Sequence, residues 1–382
     1  MKIPPVDSPE PIKLTNVKIS GFAASNARAG ETVAVLTHAA LTSDQPEFYT
    51  YVKGLLDHLA GRARALGIEL VPDHWCGFLL VVHEDHAAEL YPNGVAVSIK
   101  MRAKRNISAG QKVFLSDIAD ITHVSPMGVT IAPTDKVAWI LKVGWKFAIV
   151  FDLDDQRETN QEEVECAVAH LYRLLRFQNI YETFDDSAFF PRLVRAGWFP
   201  FVELIGGDFE ALLNAFKHDF EIEAQERALV EKFDGARFEC MADRWWRNEH
   251  FASRRSLLES ALNAFERGDS VGCIKTALTE IEGVLRDARI AAVGSGAKIE
   301  KLLDFAIEQG ITKNQDEASL LFPRPFLVYL RNYTYEDFDP LGDSAINATR
   351  HAVGHGAAPA DAYTQKAALQ VLLTLDQISF YL

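Results

Sequence analysis

The chain has 382 residues, 48% hydrophobic and 24% charged, a globular balance that excludes wholesale disorder and predicts two or three domains. Its 53 acidic residues outnumber 39 basic ones for a formal charge of −14, which disfavours sequence-blind binding to nucleic acid or anionic lipid. Cys76, Cys166, Cys240 and Cys273 are scattered with no CxxC pair, which argues against a zinc ribbon or disulfide scaffold and for a reducing, cytoplasmic compartment.

Three prolines among the first nine residues predict a loose N-terminal arm, without the apolar segment of a signal peptide. No run of about 18 apolar residues occurs, so no membrane span is expected. From Pro46 to Leu66, Tyr51, Leu55, Leu59 and Ala63 recur at helical spacing. Gly77 to Val82 is wholly apolar and predicts a buried strand. The polar turn expected after it, His83-Glu84-Asp85-His86, spaces its histidines three apart rather than the four that put both on one helical face, and no metal site is expected. Val95, Val97, Ile99 and Met101 alternate with Ala96, Ser98, Lys100 and Arg102, the period of a half-buried strand. Lys100, Arg102, Lys104 and Arg105 form the one local basic patch, expected as a solvated sheet face or edge, with phosphate or RNA contact as the alternative.

Val137 to Phe151 is again strongly apolar and predicts a strand pair broken at Gly144 and Trp145. It ends in Asp152-Leu-Asp154-Asp155-Gln156, which resembles the first motif of haloacid-dehalogenase-type phosphatases but carries Gln156 where those enzymes have Thr or Val. A strand running into an acidic turn is the expected structure. Neither GxxxxGK nor GxGxxG occurs, so no nucleotide cofactor is expected.

From Glu162 the period becomes helical, with Val164, Val168, Leu171 and Leu175 on one stripe and a Gly/Pro-rich interruption from Gly197 to Gly207. The cluster Arg244-Trp245-Trp246-Arg247 suggests a boundary. Beyond it lie three stripes: Leu257, Leu258, Ala261, Leu262 and Phe265, ended by Gly268; Ile274, Leu278, Ile281 and Leu285; and Ile299, Leu302, Leu303 and Ala306, ended by Gly310. Val371, Leu372, Leu375 and Ile378 run almost to the C-terminus. The expected class is α+β. A mixed α/β domain of unknown role spans 1–160, a helical connecting region 161–245 and a helical bundle 246–382, the last expected to fold by itself.

Just before the last helix stands Asn347-Ala-Thr-Arg350-His351-Ala-Val-Gly354-His355-Gly356, an arginine and a histidine separated by four residues. Earlier in the same region lies Gly268-Asp-Ser-Val-Gly-Cys-Ile-Lys-Thr-Ala-Leu-Thr-Glu-Ile-Glu282-Gly283. Together they resemble the HEPN superfamily, helical bundles whose ribonuclease members carry Arg-x(4–6)-His, over about a third of the chain. The resemblance implies a homodimer that joins two motifs and cleaves RNA without metal, using the RNA 2′-hydroxyl as nucleophile. By that resemblance His355 handles the proton and Arg350 stabilises the charge growing on the phosphate. Glu282 is placed to orient either one, and His351 is the polar residue directly after the arginine. Residues five apart on a straight helix point roughly 140° apart. Gly354 and Gly356 predict a helix end that lets His355 fold back toward Arg350 and Asn347. The same spacing occurs at Arg244 and His250, outside the bundle context.

Two functions follow. One is a metal-independent endoribonuclease of a toxin or defence type. The other is a non-catalytic dimerisation or interaction protein with an N-terminal sensing or binding domain, in which Arg350 and His355 merely cap a helix end.

Overall fold

Short apolar strands that are buried on both faces need a layer on each side, and the N-terminal part of the chain supplies two helices for this. The computed structural model describes residues 10–71, 75–337 and 347–382, so most of the Pro-rich arm lies outside the described residues. The fold is α+β. It divides into two units, one of residues up to 101 together with 121–178, the other of residues 102–120 and 179–382.

The first unit contains β1 (Ile12–Leu14), β2 (Phe22–Ala23), β3 (Val35–Leu36), β4 (His38–Thr42), α1 (Pro46–Ala65), β5 (Phe78–Val82), β6 (Ala88–Pro92), most of β7 (Val97–Ala103) and of β8 (Ile118–Pro126), β9 (Lys136–Val143), β10 (Lys146–Asp152) and α2 (Gln161–Arg176). Six strands form a sheet in the order β1-β6-β5-β9-β10-β4, each neighbouring pair antiparallel. Phe78, Leu80 and Val82 join Leu55, Leu59 and Ala63 of α1 in one core. Leu79 and Val81, facing the other way, are buried too, and α2 packs against β10, β4 and β9. This is why β5 reads as an unbroken apolar run instead of an alternation. Gly144 and Trp145 connect β9 to β10 as a two-residue hairpin, Gly144 taking φ +62 and Trp145 standing 93% exposed.

Two expectations for this unit need correction or detail. The alternation over residues 95–102 does mark a strand, β7, but its apolar side is not buried: Val97 is 45% and Met101 39% exposed. β7 pairs with β8 in a two-stranded ribbon, so the period reports the pleat and not a covering layer. Asp152 ends β10 buried beside His38, 3.8 Å away. Because β10 is antiparallel to both neighbours, its end does not open on the parallel-sheet crevice where α/β enzymes place ligands.

The second unit contains α3 (Gln178–Asp185), α4 (Phe189–Arg195), α5 (Gly207–His218), α6 (Ile222–Glu231), α7 (Gly235–Trp245), α8 (Glu249–Ala252), α9 (Arg255–Glu266), α10 (Ser270–Val293), α11 (Ile299–Asn314), α12 (Pro323–Tyr329), α13 (Arg350–Gly354) and α14 (Gln365–Tyr381). α14 is the central helix. Every residue from Ala368 to Ile378 is buried, and it packs against α6, α7, α9, α10 and α11. Two of its glutamines are satisfied across the core. Gln370 Nε2 donates to the Ala196 carbonyl at 3.0 Å; Gln377 Nε2 donates to Leu321 at 2.9 Å and its Oε1 accepts from the Val202 amide at 2.9 Å.

These contacts replace the expected dividing lines at 160 and 245. Residues 161–178 belong with the sheet, and residues 179–245 share the core of the helical bundle. Trp245, at the expected boundary, is fully buried and donates from Nε1 to Asp376 at 2.9 Å. Smaller departures follow from packing. Leu258, Ala261, Leu262 and Phe265 are buried, but Leu257 on the same predicted stripe is 46% exposed. Gly310 does not end α11: a Cβ there would come within 2.9 Å of the Tyr381 ring, so the glycine admits a close helix contact. Among the described residues no helix is long and apolar enough to cross a membrane.

Candidate functional site

α10 starts at Asp269, whose side chain accepts from the Gly272 amide at 2.8 Å. Ile274, Leu278, Ile281 and Leu285 all face the core. Gly283 interrupts this good helix former for a steric reason: a Cβ there would collide with the Arg254 guanidinium, which crosses the helix to bind Glu280 and Asp287, each at 2.8 Å. One residue earlier, at the edge of the stripe, Glu282 is 23% exposed and binds Arg286 and, at 3.3 Å, Arg350.

Arg350 is the first residue of α13. Thr349 caps the helix, its Oγ1 accepting from the Ala352 amide at 3.2 Å. The helix ends as its glycines predict. Gly356 takes φ +70, its amide donates to Val353 at 3.2 Å, and the Ala357 amide donates to Ala352 at 2.8 Å, the paired bonds of a Schellman end. The last carbonyls are therefore satisfied by backbone, and Arg350 sits at the opposite, N-terminal end. The Ala352 and Val353 carbonyls are thus closed without the Arg350 side chain. That side chain instead runs along α13 until Nη1 lies against Gly354, where any Cβ would collide with it. The guanidinium thus reaches the level of residue 354, next in sequence to His355, which is exposed and terminates the helix.

Other expected residues gather here. His351 Nε2 is 3.7 Å from Asp337, and its ring is 6.4 Å from that of Tyr335. Asn347 is exposed and hydrogen-bonded to Glu336, whose carboxyl is pushed above its ordinary pKa by burial. No motif or spacing marked Tyr335. It follows a π-helical turn at Leu330–Thr334 and is only 5% exposed. Tyr335 Oη and Arg350 Nε are both buried with no hydrogen-bond partner among the described residues. Burial and the nearby Glu282 charge hold the Tyr335 hydroxyl far above the ordinary phenol range, so it is present only as a donor-capable neutral group. Arg286 was also missed; it stands one helical turn from Glu282.

The second Arg/His match has a different fate. Arg244 bonds Glu203 at 2.6 Å and Asp376 at 2.7 Å, donates to the Lys104 carbonyl, and lies over the Phe380 ring. It is a structural cation with only 12% of its side chain exposed. The basic patch is likewise taken apart: Lys104 is 4% exposed, Arg105 pairs with Asp117 at 2.6 Å, and Arg102 points to the Phe380 carbonyl at 3.5 Å. Lys100 and Arg105, the latter 42% exposed, match the solvated reading; Lys104 and Arg102 do not. His83, in the polar turn after β5, bonds Asp135 at 2.9 Å. Among the described residues no cluster of three or more His, Cys, Asp or Glu is placed to hold a metal ion.

Comparison with known proteins finds no family model, no curated protein and no solved structure that matches the chain.

Proposed function

We propose that the helical unit is a HEPN-like, metal-independent endoribonuclease of a toxin or defence type, acting in the cytoplasm as a homodimer. The observation that carries this reading is the Arg350 side chain laid back against Gly354, which brings a cation to the end of α13 where His355 is exposed. In the proposed reaction the 2′-hydroxyl oxygen of RNA bonds to the adjacent phosphorus as its proton passes to an imidazole. The bond from phosphorus to the 5′-oxygen breaks, and that oxygen takes a proton. The products are a 2′,3′-cyclic phosphate and a free 5′-hydroxyl. A dimer supplies two copies of His355, one for each proton transfer. Arg350 offsets the charge on the pentavalent phosphate. Glu282 fixes the guanidinium, with Asn347 and His351 at its margin.

A second reading has its own observation. Glu282 already neutralises Arg350 within one chain, which suits a non-catalytic dimerisation module. Incubating RNA with the full chain in EDTA separates the two. The nuclease reading expects cleavage with 2′,3′-cyclic ends, and light scattering at micromolar protein should give a dimer. A dimer that leaves every RNA offered intact supports the assembly module, and a strict monomer removes the composite site.

A further inference from the structure

Away from α13, the helical unit holds a cleft of about 420 Å³, lined in part by Lys104, Gly206, Gly207, Asp208, Arg237 and Arg244. Its volume falls within the roughly 300–1,000 Å³ range of small-ligand sites. The carboxylates around it are already engaged. Asp208 takes Lys232 at 2.7 Å and Arg237 at 3.0 Å, Glu203 and Asp376 take Arg244, and Asp117 takes Arg105. Lys104 has no carboxylate within 4.0 Å among the described residues, although it is 4% exposed; its ammonium meets only the Ile205 carbonyl, at 3.5 Å. A buried ammonium with most of its donors unused is costly unless an anion answers it.

Next to Ile205 the lining offers donors of a second kind. α5, twelve residues long, begins at Gly206–Gly207, and no side chain caps it. Its first-turn amides and the positive end of its dipole remain open there. A Cβ added at Gly206 or Gly207 would meet nothing within 4 Å, so the backbone is bare toward the cleft. Arg244 Nε adds one more buried donor with no partner among the described residues.

We propose that this cleft binds a phosphate-bearing ligand, its anionic oxygens shared between the Lys104 ammonium and the first-turn amides of α5. Phosphate suits the arrangement because it offers three acceptor oxygens to donors of two kinds, an ammonium and backbone amides, where a carboxylate offers two in one plane. The remaining volume accommodates the group that carries the phosphate. Burial pushes the Lys104 amine down to about 8, with Arg237 and Arg244 acting in the same direction against Glu203 and Asp376, and a bound dianion would raise it again. This site stands apart from Arg350 and does not depend on the nuclease reading.

The test uses the full chain with inorganic phosphate and adenosine 5′-monophosphate, followed by calorimetric titration and by thermal unfolding. Both anions should bind saturably and raise the unfolding temperature. Lys104→Met, which keeps the aliphatic length without the charge, and Gly207→Ala should each weaken binding by about tenfold or more. Gly207→Ala meets open space in the protein, so it keeps the test decisive if Lys104→Met folds poorly. Tighter binding of the nucleotide identifies a phosphate ester as the ligand, and equal affinity identifies phosphate itself. Absence of saturable binding to the wild type, or binding unaltered in both variants, overturns the site.

Discussion

Arg244 and Arg350 begin the same spacing pattern and end in different chemistry. Arg244 is held between Glu203 and Asp376, the latter 132 residues further along the chain, and no local pattern could announce that. Arg350 keeps 28% of its side chain exposed and leaves Nε without a partner among the described residues. The two should therefore differ in stability cost. Arg244→Ala strands two carboxylates in a buried site and should lower unfolding free energy by about 3–5 kcal/mol. Arg350→Ala breaks a partly exposed pair and should cost about 1 kcal/mol or less. Denaturant unfolding of both variants checks this, and equal losses would contradict the structural role given to Arg244. By the same logic, the glycines near His355 were readable as a helix end, but the collision between a Cβ at 354 and Arg350 was not, because it depends on a side-chain path.

At the scale of elements, legibility follows the number of covered faces. α10 and α1 each pack one face, so their stripes appear directly in the sequence, and β5 is covered on both faces and appears as a continuous run. α14 is buried all round, and its stripe of Val371, Leu372, Leu375 and Ile378 understated how central it is. Leu257 and β7 were misjudged for the converse reason: periodicity marks a potential face, and tertiary structure decides whether anything lies on it. The contrast is measurable. Leu372→Ala should cost about 2–5 kcal/mol, as a leucine removed from a closed core, while Leu257→Ala should cost below about 1 kcal/mol. Comparable shifts in urea midpoint for the two would mean that α14 is not the centre of the bundle. The π-helical turn before Tyr335 had no sequence signal at all, and it precedes the buried hydroxyl that stands near Glu282 and Arg350.

For the molecule as a whole, the order of α/β first and helices second was readable, but the partition was not. The stretch 102–120 groups with the helical unit although it interrupts the first, and a discontinuous unit leaves no boundary signal in composition. Residues 179–245 looked like a connection because their apolar groups are satisfied by α14, far downstream. The proposed ribonuclease site is Arg350 and His355 at the end of α13. It is tested most directly by the rate at which the full chain cleaves RNA in EDTA, wild type against His355→Ala and Gly354→Ala at equal folded fraction. His355→Ala should lose roughly 10²-fold or more. Gly354→Ala should also show a clear loss, because it leaves Arg350 and His355 in place but displaces the guanidinium. A wild type that leaves RNA uncut, or variants that cut as fast as the wild type, would contradict the proposed site.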